Sequence, residues 1–202
     1  PATAGAGVGL LVMVAVLVLV FAGGGGRRKK KVLKQWAQYA HENQLTLTGE
    51  YPILQLEGGG KGINVRFWQE VQAGDGGDDG ETTAQVVSEA AVSIPAEVGD
   101  LSLAREGFFA KRGRTFVGQD IKLNDTLFDT AFIVKHSNAK RVFQILTPPV
   151  RDALIAAQQK LPDLEVSDGM VRLRGAGTTD IQRVDFVLST LIKIATAFTK
   201  DA

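Results

Sequence analysis

The chain has 202 residues, no cysteine and a formal net charge of +1 at pH 7. This length suits one domain of ordinary size with its own core, once a membrane anchor is set apart. The absence of cysteine excludes disulfides, thiol nucleophiles, iron–sulfur clusters and zinc sites with cysteine ligands.

The charges are distributed unevenly along the chain. Six of the 23 basic residues lie between Arg27 and Lys34, whereas all 22 acidic residues lie beyond them. From Gln35 onward, 17 basic residues stand against 22 acidic ones, a net charge of −5. Because a mildly acidic body is a poor ligand for polyanions, we expect no nucleic-acid partner.

The N-terminal segment is long and uncharged. Residues 2–26 carry no charge, and Val8–Ala22 is almost wholly apolar. At about 1.5 Å per residue this segment reaches roughly 37 Å as a helix, against about 30 Å of bilayer hydrocarbon. Residues 1–26 are therefore predicted to form a transmembrane anchor. The alternatives are a cleaved secretory signal peptide and a buried core helix; signal peptides carry their positive charge before the apolar run, not after it.

A basic juxtamembrane segment, residues 27–34, follows the predicted anchor directly. The positive-inside rule places this flank in the cytoplasm and the short N-terminus outside. The expected location is the inner (cytoplasmic) membrane, with a single pass and a cytoplasmic C-terminal domain. We favour the interpretation of this segment as a stop signal. The alternative is a site for anionic lipid headgroups formed by Arg27, Arg28, Lys29, Lys30 and Lys31.

The first half of the domain, which we place at residues 35–202, predicts one helix followed by strands. Clean period-two alternation in two of the strand segments indicates a long antiparallel hairpin, and its polar, glycine-rich connection predicts a mobile loop. The predicted elements are a helix at Lys30–Gln44, strands at Leu45–Thr48 and Ile53–Glu57, a turn at Gly58–Gly62, the hairpin strands Ile63–Val71 and Thr82–Ile94, and the loop Ala73–Glu81.

The second half predicts more strands and two helices. Further strands are expected at Leu101–Glu106, Thr115–Lys122 and Phe128–Lys135, and a helix at Pro149–Leu161. Asp168-Gly169 joins the strands Leu164–Ser167 and Met170–Arg174 as a two-residue hairpin turn. A last helix has Thr179 and Gln182 at capping-box spacing and an apolar stripe at Ile181, Val184, Leu188, Leu191, Ala195 and Phe198. The predicted fold class is α+β: a transmembrane helix, then one domain with a mainly antiparallel sheet covered by helices.

Two glycine-rich segments have compositions found in ligand-binding loops. Gly58–Gly62 lacks the spacing and the Ser/Thr of a phosphate-binding P-loop. Asp75, Asp79 and Gly80 fit positions one, five and six of a calcium loop, but a glycine stands at position three and Val86 at position twelve. We therefore predict a solvated loop without a metal site.

The titratable side chains also form no recognisable constellation. His41 and His136 lack a ligand set, and no G-x-S-x-G nucleophile elbow is present, although a Ser-His-Asp set assembled from distant residues stays open. Asp125 and Asp129 are expected to be a capped turn followed by an exposed strand position. The sequence thus nominates no catalytic residue, no metal ligand and no cofactor.

The stretches GQDIKLNDTLFDTAFIVK (Gly118–Lys135) and QILTPPVRDAL (Gln144–Leu154) resemble a pattern in uncharacterised bacterial single-pass membrane-anchored α+β proteins. The resemblance implies a bacterial origin and a strand-then-helix order. It implies no catalytic residue.

These features favour a non-catalytic accessory or assembly subunit of a larger membrane complex of the respiratory, photosynthetic, secretion or transport kind. Its expected partners are other integral membrane subunits, met through the transmembrane helix and the cytoplasmic domain. The alternative hypothesis is a membrane-tethered enzyme or ligand-binding module without a recognisable motif.

Overall fold

The computed structural model describes residues 26–60, 62–73, 84–106 and 120–200. Three predictions lie wholly or largely outside these ranges. They are the anchor apart from Gly26, the mobile loop from residue 74 to Glu81, and residues 115–119 of the predicted strand Thr115–Lys122. In the described ranges, no helix combines the length and the apolar character needed to cross a bilayer.

The described residues form an α+β fold with one eight-stranded antiparallel sheet and five α-helices. The strands are β1 (Thr46–Glu50), β2 (Ile53–Gly60), β3 (Ile63–Ala73), β4 (Ala84–Ser93), β5 (Ser102–Ala104), β6 (Ile133–Lys135), β7 (Leu164–Ser167) and β8 (Met170–Ala176). The helices are α1 (Gly26–Glu42), α2 (Thr126–Ala131), α3 (Ala139–Ile145), α4 (Pro148–Gln158) and α5 (Ile181–Lys200), with a short 3-10 turn at Ala96–Val98.

The strand order is β1-β2-β3-β4-β8-β7-β5-β6, and every pairing is antiparallel. The two predicted hairpins are confirmed: β3 pairs with β4 from Val65 opposite Val92 to Ala73 opposite Ala84, and β7 pairs with β8. Helix α5 packs on β3, β4 and β8, and both α1 and α4 pack against α5. The predicted covering of the sheet by helices is thus observed on one face, which we call the inner face.

The glycines of β2 were expected to form a turn, and this prediction is wrong. Gly58, Gly59 and Gly60 extend the strand and pair with Val65, Asn64 and Ile63. A Cβ on Gly58 would lie 3.0 Å from the backbone oxygen of Gln44 and 3.2 Å from the Cα of Leu45. Glycine is needed here because the connection between α1 and β1 passes close to the strand.

The prediction of a strand over Phe128–Lys135 is only partly right. Thr126–Ala131 is helix α2, and only Ile133–Lys135 is a strand. The Asp125 carboxylate accepts a hydrogen bond from the Phe128 backbone N–H and caps the helix. Phe128 and Phe132 are four residues apart, and their ring centroids are 5.1 Å apart. This helical contact and the local cap stabilise a helix here in spite of the strand propensity of the segment.

The last helix begins differently from the capping box that its sequence predicts. The Asp180 carboxylate, not the Thr179 hydroxyl, accepts a hydrogen bond from the Gln182 backbone N–H. Thr178 in turn accepts from the Asp180 N–H through its hydroxyl oxygen. The apolar stripe is confirmed, because Val184, Leu188, Leu191, Ala195 and Phe198 are all buried while Ile181 is half-buried.

Candidate functional site

Helix α1 has a basic face opposite the face that joins the core. At 100° per residue, Arg27, Lys30, Lys31 and Lys34 form one stripe, and all four are exposed. The stripe of Val32, Trp36 and Ala40 lies on the other side and is buried. The helix therefore presents a row of cations to its surroundings along its first two turns and continues without a break into the domain.

The first described turn of α1 contains no acidic residue that could pair with these cations. Within the described residues, Arg27, Lys30, Lys31 and Lys34 form no ion pair. No ion pair among the described residues therefore explains this cluster.

Trp36 fixes α1 to the domain. Its side chain is fully buried, its ring lies 5.6 Å from the Phe67 ring at 58°, and its Nε1–H donates to the Thr179 carbonyl at 3.0 Å. A buried indole whose N–H is satisfied combines a large apolar contact with a directional one. The orientation of the basic face relative to the sheet is therefore rigid.

One helical turn further on, Tyr39 joins α1 to α5. Its half-buried hydroxyl donates a hydrogen bond to the Asp185 carboxylate. Burial, the negative charge of Asp185 and this hydrogen bond together raise the pKa of Tyr39 far above its ordinary value. The contact is a second attachment of the basic helix to the core.

The outer face of the sheet carries exposed charges over β2 and β3. Arg66 bonds to Glu57 at 2.7 Å, and its guanidinium lies 6.0 Å from the centre of the half-buried Trp68 ring. Glu70 on the same strand accepts from Arg174 of β8 at 2.9 Å. Exposed pairs of this kind contribute at most about 1 kcal/mol each to stability. These pairs therefore contribute little to the stability of the domain.

His136 is structural in its geometry. Its Nδ1 accepts a hydrogen bond from the Asn138 backbone N–H at 2.8 Å, so the neutral ring carries its proton on Nε2. The Nε2 atom lies 3.1 Å from the Asp100 Oδ1, but the two atoms do not have the geometry of a hydrogen bond. Burial alone would raise the pKa of Asp100, but hydrogen bonds from Ser137 and the nearby His136 outweigh it and lower that pKa. Neither nitrogen is directed at a serine hydroxyl.

A polar cluster that the sequence did not reveal lies on the outer face of β7. Ser167 donates to the Glu165 carboxylate at 2.5 Å, and both side chains are buried. The register places Arg172 directly opposite Glu165. Apolar and polar residues alternate from Leu164 to Ser167, a pattern that predicts a half-exposed strand, yet all four residues are buried. Among the described residues, this cluster contains no histidine that could activate Ser167.

The remaining candidate residues have structural roles or exposed positions. Asp125 also pairs with Arg151 at 3.1 Å, and the Asp129 carboxylate accepts from the Leu123 and Asp125 backbone N–H groups. The expected cap at Asp125 is thus confirmed, but Asp129, expected at an exposed strand position, is half-buried in helix α2. His41 is exposed on α1. The described residues contain no group of three His, Asp or Glu side chains that could hold a metal, and Asp75, Asp79 and Gly80 lie outside them.

Helix α1 is accordingly the strongest candidate site: an exposed basic face on a helix held rigidly by Trp36 and Tyr39. Comparison of the chain with protein-family models, with curated proteins and with solved structures gave no match.

Proposed function

We propose that the chain is a non-catalytic accessory or assembly subunit that docks onto a larger membrane protein complex. In this proposal residues 1–26 are the membrane anchor, residues 27–34 lie at the headgroups, and the α+β domain adds a contact on the cytoplasmic side. The observation that carries the proposal is the exposed basic face of α1 on a helix fixed to the core.

The dimensions of the basic segment support this placement. Arg27 to Lys31 spans about 6 Å along a helix, which matches the roughly 5–7 Å of headgroup region on each side of the hydrocarbon. Each Lys or Arg near an anionic membrane surface contributes about 1 kcal/mol of attraction. Because α1 is rigid against the sheet, this attraction orients the whole domain and not only the segment.

The outer face of the sheet supplies a surface for the second contact. Trp and Arg are the side chains most often found at the energetic centres of protein interfaces, and Arg66 and Trp68 lie together on this exposed face. A domain contact joined to a membrane contact is bivalent, so each can be weak while the attachment is strong.

The experiment is purification of the tagged chain from its native membrane in mild detergent, with quantification of the co-purifying membrane proteins. We expect a stoichiometric membrane partner. Exchange of residues 2–26 for an unrelated span of equal hydrophobicity, or Trp68→Ala with Arg66→Ala, should each lower recovery of that partner. Lys193→Gln, at an exposed position of α5 on the other side of the sheet, is the control and should leave recovery unchanged.

Two results would contradict the proposal. Purification of the chain without any stoichiometric membrane protein would remove the accessory-subunit function. Full recovery of the partner by both altered proteins would show that neither the anchor nor the outer face makes the contact.

A further inference from the structure

A cleft of about 230 Å³ lies between the inner face of the sheet and helix α5. Its floor is formed by Phe67, Ala90 and Leu173, and one wall by Val184 and Val187 of the helix. The cleft is distinct from the basic face of α1 and from the outer face of the sheet, and a ligand bound in it is independent of the proposed function.

Small residues create this space. On the inner face, Ala90 lies opposite Leu173, and Ser88 lies opposite Gly175. A Cβ on Gly175 would meet no atom within 4 Å, and its backbone is not in the left-handed region. Neither crowding nor conformation therefore requires glycine here. A strand glycine with open space above it is a place where a ligand can approach the backbone.

The rim of the cleft is cationic. Lys160, just after α4, and Arg183, in the first turn of α5, both line it and are exposed. Neither forms an ion pair with another described residue, and no acidic side chain lines the cleft. Phe186, 41% exposed, adds an apolar surface at the opening.

We propose that this cleft binds a small amphiphilic carboxylate, with its head at Lys160 and Arg183 and its hydrocarbon body on Phe67, Ala90 and Leu173. The volume is below the roughly 300–1,000 Å³ of drug-sized sites, which excludes a nucleotide or an oligosaccharide. An apolar floor with charged groups only at the rim selects a molecule that is apolar at one end and anionic at the other.

Equilibrium dialysis of radiolabelled hexanoate against the full chain in zwitterionic nanodiscs tests this proposal, with empty nanodiscs subtracting partition into lipid. We expect saturable binding of one equivalent. Hexylammonium, which has the same chain and the opposite charge, and acetate, which has only the head, should compete at least tenfold more weakly than unlabelled hexanoate.

Two sets of variants separate the cleft from surface electrostatics. Gly175→Leu fills the space and should abolish binding, while Lys160→Gln with Arg183→Gln should weaken it at least tenfold. Lys193→Gln, an exposed cation of α5 away from the cleft, is the matched control and should bind as the original does. The double charge variant alters only exposed side chains, so its effect is interpretable if Gly175→Leu fails to fold.

The proposal is overturned if hexanoate binds no more than to empty nanodiscs, or if hexylammonium or acetate competes equally well. Retained binding in a folded Gly175→Leu protein, or in the double charge variant, would overturn it too.

Discussion

Gln69 is a buried amide that replaces backbone pairing between two strands. Strand β2 pairs with β3 only from Leu56 onward, and before that point the Gln69 Oε1 accepts the Leu54 backbone N–H at 3.1 Å. Its Nε2–H donates to the Thr178 carbonyl at 2.8 Å. The alternation of β3 predicted the inward positions of Val65 and Phe67, but it also predicted Val71, which is 58% exposed. Hydrophobicity alone could not reveal that a polar side chain continues the inner face.

We therefore expect Gln69→Leu to lower the free energy of unfolding by about 2–4 kcal/mol. The leucine keeps the volume but leaves the buried Leu54 N–H without a partner, at about 1–3 kcal/mol, and the part-buried Thr178 carbonyl without one at a smaller cost. Urea unfolding followed by circular dichroism measures the change. Gln72→Leu on the exposed end of the same strand is the control, with an expected change within about 0.5 kcal/mol. Equal stability of the two variants would contradict the role given to Gln69.

Tyr39 predicts a specific loss of stability at alkaline pH. Its pKa is raised in the folded protein, whereas an unfolded chain has a tyrosine pKa of about 10. The stabilisation from its protonated hydroxyl is fully present below pH 10 and is lost as the pH rises through the folded pKa. Tyr39→Phe should be less stable than the original at pH 8, because it lacks the hydrogen bond to Asp185, and the difference should shrink above pH 10.

Thermal unfolding of both proteins between pH 8 and 11 measures this convergence. Lysine titration affects both proteins alike and cancels in the difference. A stability difference that stays constant across this range would contradict the linkage.

At the scale of elements, the sequence predicted well wherever periodicity and turn chemistry agreed. Asp168-Gly169 is such a place: both residues have positive φ, 52° and 69°, as a two-residue hairpin turn requires. Helix α3 was missed, although Asn138 caps it by accepting from Lys140 and Arg141 backbone N–H groups. Seven residues are too few for a clear helical period, so its signal is in the cap alone.

The turn between β7 and β8 gives the element-scale prediction. Gly169→Ala should lower stability by about 1–2 kcal/mol, because a Cβ is unfavourable at positive φ. The Gly169 carbonyl also accepts from the Ile94 N–H at 3.0 Å, so distortion of the turn reaches the residue that follows β4. Gly175→Ala, in extended backbone with open space, is the matched control and should be neutral or stabilising. Chemical denaturation measures both, and an equal effect of the two would contradict the argument.

For the whole molecule, neither the basic face of α1 as a rigid part of the domain nor the cleft beneath α5 could be predicted from the sequence. Helical spacing predicted Trp36 on an apolar face, but not its hydrogen bond to Thr179, which is 143 residues away. Likewise the cleft arises because Ser88 and Gly175 become neighbours through the pairing of β4 with β8. Contacts between segments that are distant in the sequence create both features, and local sequence patterns do not predict such contacts.

The orientation of the whole molecule in the membrane is the last prediction. By the positive-inside rule, the basic segment after the apolar run predicts that the residues before that run lie outside and the domain lies in the cytoplasm. Because the chain contains no cysteine, each introduced cysteine is its only thiol. A membrane-impermeant maleimide should label Ala2→Cys in intact cells, and should label Asp152→Cys, at an exposed position of α4, only after permeabilisation. The reverse pattern would invert the topology and place α1 on the outer surface. Labelling of both proteins in intact cells would show that the apolar segment does not span the membrane.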